Sequence, residues 1–80
     1  MFQYYFTFRS LTAAQSAKNA LYHNGIAAVL DRAPRMLSSQ GCGYALRVPP
    51  QFGLRAAALV RTAGHIFRVY PGGTAEEVRL

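Results

Sequence analysis

The sequence predicts an α+β fold on three observations. Its opening stretch alternates aromatic residues at strand spacing. Two later stretches carry small apolar residues at helical spacing. Each of these passes through a glycine into a short apolar strand, by Asn24-Gly25 into Ile26 and by Gly64-His65 into Ile66. The predicted order is β-α-β-β-α-β, the split βαβ order called ferredoxin-like. Right-handed crossovers then give a four-stranded antiparallel sheet in the order 4-1-3-2, with both helices on one face.

Each element has a local reason. From Phe2 to Arg9 the residues Phe2, Tyr4, Phe6 and Phe8 share one face, while Gln3, Tyr5, Thr7 and Arg9 share the other. That period of two, with aromatic enrichment, marks a strand whose aromatic face is the core face. A helix follows. Ser10 or Thr12 can cap it, Thr12 and Gln15 have capping-box spacing, and Ala14, Ala17, Ala20 and Leu21 form its apolar stripe. Gly25 suits the left-handed position after its last turn. Ile26 to Asp31 reads as a second strand, ended by Ala33-Pro34 because proline cannot donate to a ladder. Cys42 to Val48 alternates again. Pro49-Pro50 stops it, and a second helix is expected from about Gln51 to Ala63 on the stripe Phe52, Ala56, Leu59, Val60 and Ala63. Ile66 to Tyr70 is the fourth strand. The domain is expected over 1–72, with 73–80 as a loose tail or short helical turn.

Composition narrows the function. The 80 residues make one small domain, burying only about 60% of its unfolded surface. Hydrophobic residues at 51% and charged residues at 15% belong to a folded chain. One cysteine excludes an internal disulfide and leaves no partner for a zinc site. No apolar run approaches the roughly 20 residues of a membrane helix. The first ten residues lack the pattern of a signal peptide, so a cytoplasmic protein with a reduced thiol is expected. The net charge of +6 rests on nine basic residues, eight of them arginine, against three acids. Such a balance suits nucleic acid, an anionic ligand or an acidic protein partner.

The chemistry centres on P-R-M-L-S-S-Q-G-C-G-Y-A-L-R-V, residues 34–48. Cys42 lies between Gly41 and Gly43, which have no side chains to cover it. Ser38 and Ser39 precede it, and Arg35 and Arg47 lie to either side. The predicted topology puts Arg9, Ser10 and the start of the first helix at the same sheet end. A helix N-terminus and nearby cations favour thiolate, the reactive form of cysteine. The plainer alternative is a small buried hydrophobe, since Cys42 shares a strand face with Tyr44, Leu46 and Val48. His65 is expected at that end too, but two strands away, roughly 10 Å, too far for a direct hydrogen bond. Asp31, Glu76 and Glu77 make no acid/base pair, and Gly72-Gly73 is too short for a phosphate loop.

Three features together resemble the selenium/sulfur carrier protein-like family over about residues 4 to 70. They are the opening aromatic strand ending Phe8-Arg9-Ser10, the Gly25-Ile26 junction, and the loop Pro34-Arg35-x-Leu37-Ser38-Ser39 followed by Cys42-Gly43 and an apolar strand. Gln40-Gly41 puts two residues between the serines and the cysteine where one is expected. The resemblance implies a carrier holding sulfur or selenium on Cys42 as a persulfide-type adduct. Gly41, Gly43, Ser38 and Ser39 would shape the pocket, and Arg35 or Arg9 would stabilise negative charge. It implies a protein donor and a protein acceptor, with no cofactor and no metal.

Two rival readings differ in class. One is an interaction module, pairing through the open sheet face as a homodimer. The other is an RNA binder: Gly43-Tyr44-Ala45-Leu46-Arg47-Val48 echoes a third-strand motif of RNA-recognition domains. There, however, Cys42 replaces the expected basic residue and Leu46 the second aromatic, and only Tyr5 is left on the first strand's open face. The carrier ranks first, the interaction module second and the nucleic-acid binder third.

Overall fold

A computed structural model describes residues 1–37 and 41–79. It is α+β, with two α-helices against one antiparallel sheet. The sheet has five strands rather than the expected four, in the order β2-β3-β1-β4-β5. These are β1 (Gln3–Phe8), β2 (Val29–Arg32), β3 (Tyr44–Val48), β4 (His65–Val69) and β5 (Ala75–Glu77). The helices are α1 (Leu11–His23) and α2 (Gly53–Leu59).

The aromatic face of β1 is the core face. Tyr4, Phe6 and Phe8 are buried, and β3 sets Val48, Leu46 and Tyr44 directly opposite them. Ala14, Ala17 and Leu21 of α1 close over this face, joined by Ala56 of α2 and by Val60 just beyond it. Gly53 opens α2 against the Tyr4 ring, and a Cβ there would overlap the ring. Only glycine therefore lets this helix sit so close to the sheet.

Helix α1 begins and ends on local chemistry. Ser10, in extended conformation, accepts the Ala13 N–H at 3.1 Å, so Ser10 is the cap and Thr12 lies within the helix. At the other end the Ile26 N–H reaches Leu21 O at 2.9 Å, and the Gly25 N–H reaches Tyr22 O at 3.0 Å with Gly25 at φ 78°. This is the paired hydrogen-bond pattern of a Schellman stop. Its usual apolar contact is supplied by Leu21 and Ile26, both in the core.

β2 starts at Val29 rather than Ile26 and β3 at Tyr44 rather than Cys42, and two further elements depart from expectation. Helix α2 stops at Leu59, with Val60 already extended at φ −107° and ψ 104°, instead of running to Ala63. Val60 and Thr62 are β-branched and poor helix formers, and Val60 gains its place in the core by leaving the helix. The segment after 73, expected as a tail, returns as β5. Tyr70 donates to Thr74 at 2.8 Å and Gly73 to Tyr70 at 3.1 Å, closing a turn that pairs Ala75, Glu76 and Glu77 with Val69, Arg68 and Phe67. Side chains fasten the hairpin on both faces. On one, Glu76 accepts from Arg68 at 3.0 Å and from Tyr70 at 2.9 Å; on the other, His65 Nδ1 meets Glu77 at 2.8 Å.

Candidate functional site around Cys42

The ladder between β1 and β3 ends at Phe8 and Tyr44. Two residues further on each strand stand Ser10, which caps α1, and Cys42. The first turn of α1 contains no acidic residue, so its partial positive charge at this sheet end meets no carboxylate of its own. The loop is fixed to β2 by the Ala33 N–H donating to Gly43 O at 3.0 Å. Gly41, at φ 83°, is in the left-handed region and exposed.

Cys42 is not the accessible thiol that its glycine neighbours suggest. It is a free cysteine only 1% exposed. Its sulfur lies against Gly64, 2.8 Å from where a Cβ on that glycine would stand. The same point is 3.7 Å from Thr7 O and 4.0 Å from Thr7 Oγ1. Gly64 is held there by its own N–H, which donates to Thr7 O at 2.7 Å. The thiol therefore spans the end of β1 and meets the segment leading into β4. The two-strand gap expected between Cys42 and this segment is closed at Gly64, one residue before His65.

Thr7 and Ala45 are also fully buried, although they lie outside the main core cluster. They pair across β1 and β3 on the face away from the helices, and Thr7 Oγ1 donates to His65 O at 3.3 Å. Residue 64 is thus fixed to β1 at Thr7 and offers no side chain of its own. Sequence reasoning took Gly64 as a helix stop and passed over Thr7. The one available signal was a threonine on the face opposite an all-aromatic stripe.

Arg9 and Arg35 are exposed, Arg35 within a short 3₁₀ turn, Arg35–Leu37, whose Leu37 is buried. Ser38 and Ser39 lie outside the described residues. Glu76 and Glu77, expected in a tail, are held below the ordinary carboxylate range, Glu76 by hydrogen bonds from Tyr70 and Arg68 and Glu77 by that from His65. Among the described residues no three His, Cys, Asp or Glu side chains gather as a metal site, and no helix is long and apolar enough to cross a membrane.

Residues 3–69 match the family described as Putative Se/S carrier protein-like. The chain belongs to that family. The match runs from the start of β1 to the end of β4, and so includes Cys42 and both segments that enclose its sulfur. No curated protein and no solved structure matches the chain significantly.

On the open sheet face, Tyr5 stands across from Phe67 on one side and Arg47 on the other. A pocket of about 80 Å³ lies there between Tyr5, Arg47, Asp31, Arg32 and Pro34.

Proposed function

We propose that this chain is a sulfur or selenium carrier that holds its cargo on Cys42 and passes it to a protein partner. The observation that carries this reading is the family match across the single thiol and the two segments that enclose it. In loading, the Cys42 thiolate attacks the terminal sulfur of a donor persulfide. A bond forms from Sγ to that sulfur, the donor's own S–S bond breaks, and the donor leaves as a thiolate. Unloading is the same exchange run onto an acceptor thiolate, which restores the Cys42 thiolate. The sulfur moves as a sulfane atom and no external oxidant or reductant is consumed. A selenium atom at the terminal position exchanges in the same way.

The surrounding residues take supporting roles in this reading. Gly41 and Gly43 leave the backbone next to the thiol uncovered. The uncompensated start of α1, with Arg9, favours an anionic adduct over a neutral one. Arg35, Ser38 and Ser39 are assigned to the pocket on the family resemblance. Protein partners dock on an arginine-rich surface, and the exchange belongs in a reducing compartment such as the cytoplasm.

The test is incubation of the reduced protein with a persulfide donor, followed by intact-mass and peptide mass spectrometry. The expected product gains one sulfur atom on Cys42 and loses it to dithiothreitol. Absence of the adduct in excess donor would sink the carrier reading. The open-face juxtaposition of Tyr5, Phe67 and Arg47 supports a second reading, an interaction module. Binding there that is insensitive to Cys42→Ala would favour it.

A further inference from the structure

We propose that the open face of the sheet pairs with the same face of a second copy of this chain, about a two-fold axis that runs parallel to the strands between β1 and β4. The partner deepens the open-face interaction reading, on which it rests; it does not depend on sulfur transfer by Cys42.

Both helices pack on the Tyr4, Phe6 and Phe8 face of the sheet. On the other face the registers set apolar side chains of four strands side by side: Val29 on β2, Tyr5 on β1, Phe67 and Val69 on β4, and Ala75 on β5. Val29 is 46% exposed and the other four are half-buried. A continuous apolar face of this kind marks an interaction surface.

The charges on that face say what covers it. One row of cross-strand neighbours runs Arg47, Tyr5, Phe67, Glu77 over β3, β1, β4 and β5. It begins on a cation, ends on an anion and holds two aromatic rings between them, so it is complementary to its own reverse. Rotation about the axis between β1 and β4 lays Tyr5 on the partner's Phe67 and Arg47 on the partner's Glu77, and symmetry repeats both contacts. Two sheets packed face to face stand about 10 Å apart with their strands within about 30° of one another. Arg47 is exposed and makes no ion pair among the described residues. The nearest acid on its own face is Asp31, across the same small pocket, where Asp31 Oδ1 accepts the Arg32 N–H at 2.8 Å. Glu77 meets His65 Nδ1 at 2.8 Å, and a carboxylate offers about four acceptor positions, so it has room for a guanidinium as well.

Other pairings fail on charge. A two-fold axis across the strands lays Arg47 on the partner's Arg47 and Glu77 on the partner's Glu77. An axis along β1 leaves Arg47 against the partner's Phe67. A polyanion such as RNA meets Asp31 and Glu77. Charge order of this kind fixes partner and register. The chosen axis keeps the strand direction, so the two Cys42 sites lie at the same end of the dimer.

The test is sedimentation of the reduced full chain over a concentration series up to about 1 mM, at low salt. Wild type is expected to dimerise reversibly. Arg47→Glu and Glu77→Arg each create two like-charge contacts and should each raise the dimer Kd by about tenfold or more. An equimolar mixture of the two variants should associate as wild type does, because both cross-copy contacts then join opposite charges. Arg55→Glu, at an exposed position on α2, changes the net charge as Arg47→Glu does and should leave the Kd unchanged. That comparison stands even where Glu77→Arg loosens β5 by losing His65. A monomer at every concentration overturns the proposal, as does a dimer equally tight in Arg47→Glu and Arg55→Glu, or a mixture of folded variants no tighter than either alone. A monomer whose open face instead captures single-stranded RNA keeps the open-face reading and loses the second copy. A dimer with the expected behaviour that takes up no sulfur keeps the pairing and loses the carrier function.

Discussion

Replacing Cys42 by alanine separates the two things this residue does. The residue is 1% exposed and its sulfur packs against Gly64. Removing it deletes one large heavy atom from a site whose walls are backbone held by the hydrogen bond from Gly64 to Thr7 at 2.7 Å. Those walls collapse only in part, so the loss resembles removal of one buried methyl-sized group, about 1 kcal/mol. For a domain of this size that corresponds to a fall in melting temperature of about 4–8 °C, which leaves the variant folded at room temperature. Thermal unfolding followed by circular dichroism gives the stability change, and intact-mass analysis after exposure to a persulfide donor gives the loading. The expected outcome is a modest fall in Tm together with complete loss of the added sulfur. An unchanged Tm would show that the thiol is not packed between β1 and the segment before β4. Sulfur retained by the variant would show that Cys42 is not the carrier atom.

Three further outcomes follow from named contacts. Gly53→Ala forces a Cβ into the buried Tyr4 ring and should destabilise the fold by about 1–3 kcal/mol, despite alanine's better helix propensity; a midpoint in urea equal to or above wild type would contradict the close approach of α2. Ser10→Ala removes the cap accepted from Ala13 and should cost about 1 kcal/mol, with Ser10→Gly milder; equal stability of Ser10→Ala and wild type would count against the cap. The third concerns acid. The carboxyls of Glu76 and Glu77 are held below their ordinary value of 4.5 by their hydrogen-bond donors, so their contribution is complete above that value and is lost as pH falls through the lowered one. Carboxyl NMR titration should show both transitions below pH 4.5, with cross-strand contacts between Phe67 and Glu77 fading over the same range; carboxyls titrating at the ordinary value would show that the hairpin is not fastened by these groups.

Local signals that agreed with one another made much of the fold legible. The alternation of Tyr4, Phe6 and Phe8 named both an element and its buried face, because period two and aromatic enrichment point the same way. Ser10 and Gly25 bracketed α1 because capping and left-handed backbone are chemical requirements of the residues themselves. The errors lie where a long-range contact decided. Phe52, Ala56, Leu59, Val60 and Ala63 are spaced as one helical face, yet α2 ends at Leu59 and Val60, already extended, packs in the core. Thr74 to Leu80 carries two charged residues in a row and no strand period. Its pairing comes from Arg68, Tyr70 and His65, which lie on the neighbouring strand and cannot be read from the segment itself.

The thiol site was legible in part for the same reason. Glycines on either side of Cys42 say that its neighbours cannot cover it, and they do not. What covers the sulfur is a third glycine, 22 positions away in sequence, brought in by the early end of α2. A wall of bare backbone excludes water and oxidants from the thiol at rest, because oxidation follows exposure.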